Sequence, residues 1–306
     1  MKKVIITGGT GFMGKNLLPF LKNLDAQFFL LGRSDLEFER FFNVQLIKCD
    51  IKNQKEVSKI MNQVKPSHLI HMAWSVSPSN LGLPENFELV KSSIHLLEQF
   101  IKNGGERFIS IGSCFEYDWT YGLCKEDFTP TRSKSSYSAC KNSFREYAEA
   151  FCKQQEIEMV WGRLFFLFGP HENPLRLIPH VIVSLLQNKP ATIKNGGIFR
   201  DYMFAKRAAE YISKLLFHEF TGNLNICSGS PIMLGDIGKM IASSLNKPEL
   251  LTVLYPEIES NKVLFGDSSK LESIFKTNSA GNLQEELEET INWWKFKIKT
   301  SNKVII

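Results

Sequence analysis

Lys2-Lys3-Val4-Ile5-Ile6-Thr7-Gly8-Gly9-Thr10-Gly11-Phe12-Met13-Gly14 runs a short apolar strand pattern straight into a glycine-rich turn and then a helix pattern. That order decides the fold. Gly8 permits a tight turn, Gly11 lets backbone approach a pyrophosphate, and Gly14 lets the helix pack closely. The helix start, with Phe12 and Met13, offers unpaired N–H groups and a partial positive charge to an anion. Working outward, strands are expected at 2–7, 27–31, 44–49, 68–73, 107–112 and 158–166, with helices at 12–24, 54–64, 85–104 and 136–154 between them. Strand–helix alternation of this kind predicts parallel strands with crossover helices, an α/β doubly wound sheet.

After Gly169 the texture changes to proline-rich turns and brief strands. The reading is a dinucleotide-binding domain over 1–166, with about 200–227 returning to it, and a smaller mixed α/β substrate lobe over 167–306. Open α/β sheets bind ligands beyond the carboxyl ends of their strands, where such a lobe is expected to lie.

Composition narrows the classes. Of 306 residues, 43% are hydrophobic and 23% charged, an ordinary globular balance. Lys and Arg number 37 against 32 Asp and Glu, with the excess scattered rather than gathered. That suits a small anionic ligand and argues against nucleic acid. The six cysteines show no Cys-x-x-Cys pairing, so a reduced, metal-free interior is expected. The apolar run after the two lysines stops after three residues, too short for a signal peptide or a membrane span. A cytoplasmic protein without membrane attachment is expected.

The second strand ends at Gly32-Arg33-Ser34. An NAD enzyme usually has an acid there for the adenine ribose; Arg33 and Ser34 could instead bind a 2′-phosphate. NADP(H) is therefore favoured, and NAD(H), served by Asp35, is the other reading. Asp50-Ile51 closes the third strand and is placed to touch adenine, or Asp50 caps the following helix. Ala73, in His71-Met72-Ala73-Trp74, completes the candidate cofactor contacts.

Tyr137 and Lys141, four apart on one helix, project from the same face. A phenol with a pKa near ~10 is a poor acid–base group at neutral pH, and a lysine cation one turn away favours its ionised form. Ser113 ends the strand of 107–112 and can hydrogen-bond the same substrate oxygen.

These stretches together, TGGTGFMG, HMAW, SIGSCFEYD and YSACK, then RLFFLFGP, RLIP, RDYMF, GNLNICSG and a final INWW, resemble the extended short-chain dehydrogenase/reductases over nearly the whole chain. That group includes nucleotide-sugar epimerases, 4,6-dehydratases and 4-ketoreductases. The resemblance implies that Ser113, Tyr137 and Lys141 are the catalytic trio and that Lys141 also holds the nicotinamide ribose. It implies a homodimer built through the helices of 85–101 and 136–151, and a nucleotide-sugar substrate.

Departures from the family pattern shape the expected reaction. The dehydratases' Asp-Glu pair is replaced by Cys114 and Phe115, neither a strong general acid, so dehydration is not expected. In the GDP-fucose synthase branch a catalytic histidine aligns with His180, but its companion arginine falls on Asn188; His180 reads as a substrate contact or a packed residue. The epimerase asparagine falls on Phe166, and Arg207 stands at a usually acidic position. Arg200 matches the arginine that binds the nucleotide diphosphate, unless it serves a structural pair with Asp201, and Arg176 lies in the segment near the base. Trp74 and Trp119 read as lids or as stacking surfaces. The expected activity is NADPH-dependent reduction of a nucleotide-linked 4-keto-6-deoxysugar; a 4-epimerase holding NAD tightly, or a silent redox sensor on the same fold, are the alternatives.

Overall fold

A computed structural model describes residues 1–33, 42–74, 84–257 and 261–300. In chain order the elements are β1 (Lys2–Thr7), α1 (Phe12–Leu21), β2 (Ala26–Gly32), β3 (Val44–Lys48), α2 (Gln54–Val64), β4 (His68–His71), α3 (Glu85–Lys102), β5 (Arg107–Ser113), β6 (Leu123–Cys124), α4 (Ser136–Gln154), β7 (Glu158–Leu164) and β8 (Phe166–Phe168). They continue with α5 (Leu177–Leu186), β9 (Ala191–Ile193), β10 (Phe199–Phe204), α6 (Ala205–Leu215), β11 (Gly222–Ile226), β12 (Pro231–Met233), α7 (Leu234–Ser244), β13 (Leu251–Val253), β14 (Val263–Gly266), α8 (Ser269–Phe275) and α9 (Leu283–Thr300).

The main sheet has the order β11-β7-β5-β4-β1-β2-β3. Each pairing from β7 through β3 is parallel. Every residue of β4 and β5 is buried, as a central strand covered on both faces requires. On one face Val57 and Met61 of α2, Leu96 and Phe100 of α3, and Phe144 and Ala148 of α4 pack on Ile5, Phe29, Phe108 and Trp161. The expected α/β doubly wound sheet is borne out. The start of α4 is capped by Ser135, which accepts from the Ser138 N–H.

Two local expectations are corrected. The run 158–166 is not one strand. It leaves the main sheet after Phe165, whose N–H still bonds the Ile226 carbonyl at the end of β11, and resumes as β8 beside β10. Asp50 does not cap α2; Asn53 does, accepting from the Glu56 N–H at 3.2 Å.

Contacts divide the chain into two compact units. One holds Met1–Asp118, Pro130–Leu164 and Ala209–Leu224, and the other Trp119–Thr129, Phe165–Ala208 and Asn225–Ile306. Within the second, β12, β10, β14 and β6 form a mixed sheet with β8 beside β10. Its core gathers Phe168, Ile182, Ile193, Phe204 and Ile241 with Leu287, Ile291 and Trp294 of α9. Arg207, unexpected at its position, bonds Glu286 of α9, so its charge is committed within this unit. No helix among the described residues is long and apolar enough to cross a membrane.

Candidate active site

The glycine turn is built for close approach. Gly8 has φ +74°, a left-handed value that disfavours other residues, and a Cβ there would lie 2.8 Å from the Ala73 nitrogen. A Cβ on Gly14 would sit 2.3 Å from the Gly9 backbone, so α1 rests directly on the turn. At Gly11 the added atom would meet only the Gly8 carbonyl, at 3.2 Å. Gly11 also caps α1 without any side-chain bond, and no acid occupies the first turn of that helix. A bare, cation-like helix start beside an open glycine fits a pyrophosphate. The Ala73 N–H is held by Thr7 Oγ1 at 3.3 Å, fixing β4's end against β1's.

The other candidate cofactor contacts follow β2 and β3. Arg33 follows β2 directly and is exposed. Ser34 and Asp35 lie outside the described residues. Asp50 accepts from the Lys52 N–H at 3.0 Å, and Ile51 is buried beside it.

Ser113, Tyr137 and Lys141 are brought to one place by contacts on either side of the serine. Two residues before it, the Ile111 carbonyl accepts a 2.7 Å bond from Lys141 Nζ. Two residues after it, the Phe115 ring meets the Tyr137 ring edge-on at 6.0 Å. All three candidate side chains are buried, at 8%, 5% and 4% exposure. Burial drags the Lys141 ammonium down from 10.5 to about 7, with Glu116 opposing the shift. His71, behind it, is driven down to about 3 by burial and by the Lys141 charge. It is therefore a neutral core histidine joined to Thr7 at 2.7 Å and Ser93 at 2.9 Å.

Ser113 also opens a single 3₁₀ turn, Cys114–Glu116. Its Oγ accepts from the Phe115 N–H at 3.2 Å, and Glu116 Oε1 accepts from the Ser113 N–H at 2.7 Å. The Glu116 carboxylate, with no exposure at all, also accepts from Trp161 Nε1 at 3.0 Å and from Arg163 Nε at 2.8 Å. Sequence reading missed this glutamate. Its signal was Arg163, a charge inside the apolar run 158–166, which needs a buried carboxylate partner.

The second unit carries the remaining candidates. Arg200 is 9% exposed, and its Nη1 donates to the carbonyls of Phe199 (2.7 Å), Asn261 (3.0 Å) and Lys262 (3.3 Å). Its guanidinium lies over the rings of Trp119 and Phe166, at 5.4 and 5.8 Å. Asp201 next to it accepts instead from Ser228, Gly229 and Gly266, so it anchors a turn. Arg176 caps α5 and lies 4.0 Å from Glu172; its carbonyl accepts from the His180 N–H at 2.8 Å one turn on.

Residues 4–227 match the model of the NAD dependent epimerase/dehydratase family. The GDP-6-deoxy-D-talose 4-dehydrogenase of Aggregatibacter actinomycetemcomitans is 26% identical over 284 residues, 88% of this chain and 90% of that protein. Among solved structures, the UDP-N-acetylglucosamine 4-epimerase of Methanobrevibacter ruminantium has a TM-score of 0.87 at 22% identity, over 97% of this chain and 99% of that one. The dTDP-glucose 4,6-dehydratase of Bacillus anthracis has a TM-score of 0.85 at 18% identity, over 99% and 100%. With a parallel sheet, a glycine turn opening α1 and a match over most of the chain, this protein belongs to the NAD dependent epimerase/dehydratase family and is of the extended short-chain dehydrogenase/reductase type.

Proposed function

We propose that the protein reduces the keto group of a nucleotide-linked 4-keto-6-deoxysugar, with Tyr137 as proton donor and NADPH as reductant. The observation that carries this reading is the clamp around Ser113, with Lys141 on the residue two before it and Tyr137 on the residue two after. The name of the 26% identical relative, a 4-dehydrogenase of a GDP-6-deoxysugar, supports the same carbon and the same oxidation-state change.

The glycine turn of Gly8, Gly11 and Gly14, with the N–H groups of Phe12 and Met13, would hold the cofactor's pyrophosphate. Asp50, Ile51 and Ala73 would line its adenine and ribose, and Arg33 would meet a 2′-phosphate. When bound, the cofactor supplies a hydride. Ser113 accepts from the Phe115 N–H through one lone pair of its oxygen, and its O–H would donate to the sugar's oxygen. Tyr137 delivers the proton to the alkoxide that forms there, and the Lys141 cation one turn away makes the phenol a better acid. Cys114 and Phe115 put a thiol and an apolar ring where dehydration would need carboxyl groups, and burial leaves the thiol only 2% exposed. Arg200, with Arg176 and His180, is assigned to the nucleotide diphosphate and base.

The test is NADPH oxidation by the purified protein against a panel of nucleotide 4-keto-6-deoxysugars, followed at 340 nm after checking for co-purified cofactor. Turnover with one member and a protein isolated free of nucleotide support the reading. Tightly held NAD with interconversion of 4-hydroxy epimers would replace it by epimerase chemistry.

A further inference from the structure

Lys141 has to be a cation to act on Tyr137, yet it sits where burial favours the neutral amine. Its environment supplies three compensations. The Ile111 carbonyl takes one N–H at 2.7 Å. Glu116, beyond the end of β5, contributes attraction, although its oxygens are engaged by Ser113, Trp161 and Arg163. The third is Trp74: Lys141 Nζ lies 3.9 Å from the centre of its ring. The indole is held in place from behind, since its Nε1 donates to Asn86 Oδ1 at 3.0 Å and its ring tilts against Phe144 at 6.5 Å. The same indole meets the Tyr137 ring edge-on at 6.5 Å.

We infer that Trp74 is a positioning residue of the catalytic pair, its π-face holding the Lys141 ammonium charged and its edge fixing the Tyr137 ring. A desolvated cation over an indole face is the strongest form of this interaction. Other groups near Lys141 do not replace it. His71 of β4 is neutral, and Arg145, further along α4, is itself a cation, paired with Glu149 at 2.7 Å and Glu146 at 3.3 Å and lying 3.9 Å from Glu116. Arg163 of β7 is spent on Glu116 and on the Tyr117 hydroxyl. The role in turnover rests on the reductase reading, but the hold on Lys141 does not, so the two can fail separately.

The experiment labels lysine Cε with ¹³C in the full-length protein and assigns Lys141 by its loss in Lys141→Met. In the wild type the Lys141 ε-protons should show an upfield ring-current shift. In Trp74→Leu that shift should vanish and the Lys141 titration midpoint should fall by about one pH unit, the size expected for losing a buried cation–π contact. Trp74→Phe should recover part of both. The alkaline limb of the kcat/KM profile should move down in parallel, because activity is lost as Lys141 deprotonates. An unshifted wild-type ε-resonance, or a folded Trp74→Leu with an unchanged midpoint, overturns the inference even if the enzyme is a reductase. A midpoint that falls while the pH–rate profile stays put would confirm the hold on Lys141 and refute its part in turnover.

Discussion

Two buried carboxylates, one in each compact unit, are housed in opposite ways. Glu116 lies wholly inside the first unit and accepts from a backbone N–H, an indole N–H and a guanidinium. Glu172 is 7% exposed in the second unit, with Arg176 only at 4.0 Å, and its Oε2 has no hydrogen-bond partner among the described residues. Burial accordingly pushes Glu172 up to about 8, against the pull of Arg176. A buried acid is costly unless its lone pairs are met. The first unit meets them and so fixes the turn that carries Ser113. The second meets both oxygens of the buried Asp201 but leaves one of Glu172 unmet.

The contrast can be broken most sharply at Glu116. Glu116→Ala strands Arg163 and Trp161 in the core and should cost about 3–5 kcal/mol in chemical denaturation. A loss under 1 kcal/mol would mean that the network does not hold the fold.

Glu172→Gln should act in the other direction. Between about pH 4.5 and 8 the unfolded chain has released a proton that the native Glu172 keeps, so wild-type stability falls as pH rises through that window. The glutamine variant lacks this fall and should be more stable by on the order of 1–3 kcal/mol near pH 8. Parallel stability curves from pH 5 to 8 would show that Glu172 is as well met as Glu116.

Smaller effects separate an exposed charge from a buried hydroxyl. Arg33→Asp should weaken NADPH roughly tenfold to a hundredfold more than NADH, the worth of one or two charged hydrogen bonds; equal losses in fluorescence titrations would remove Arg33 from the 2′-phosphate. Ser113→Ala should lower kcat by about tenfold, since one positioning bond is lost and the proton donor stays. A loss as large as that of Tyr137→Phe would give the serine the larger part.

How much of this was legible varies with the range of the signal. The limits of α4 could be read because Ser135 caps it locally, and β1 to β5 because alternating apolar runs and helices have few other packings. The break after Phe165 could not, because Phe165 and Phe166 continue the apolar pattern and only the pairing of Phe166 with Tyr202 of β10 takes the chain out of the main sheet. Trp74 was visible as an indole at a strand end, but nothing local says that Lys141, on a helix far along the chain, lands on its face. Asp50 resembled a cap because any acid before a helix does; Asn53 holds the place because it stands three residues before the N–H it accepts from.

The central claim is that Tyr137 gives the proton. It is tested most directly by Tyr137→Phe in single-turnover reduction of whichever 4-keto-6-deoxysugar nucleotide the native protein accepts. Cofactor and substrate affinities should stay near wild type, because the ring still packs between Trp74 and Phe115. The rate of hydride transfer should fall by about 10²–10⁴, the usual worth of general acid catalysis. A Tyr137→Phe protein that reduces the substrate at a near-native rate would contradict the account.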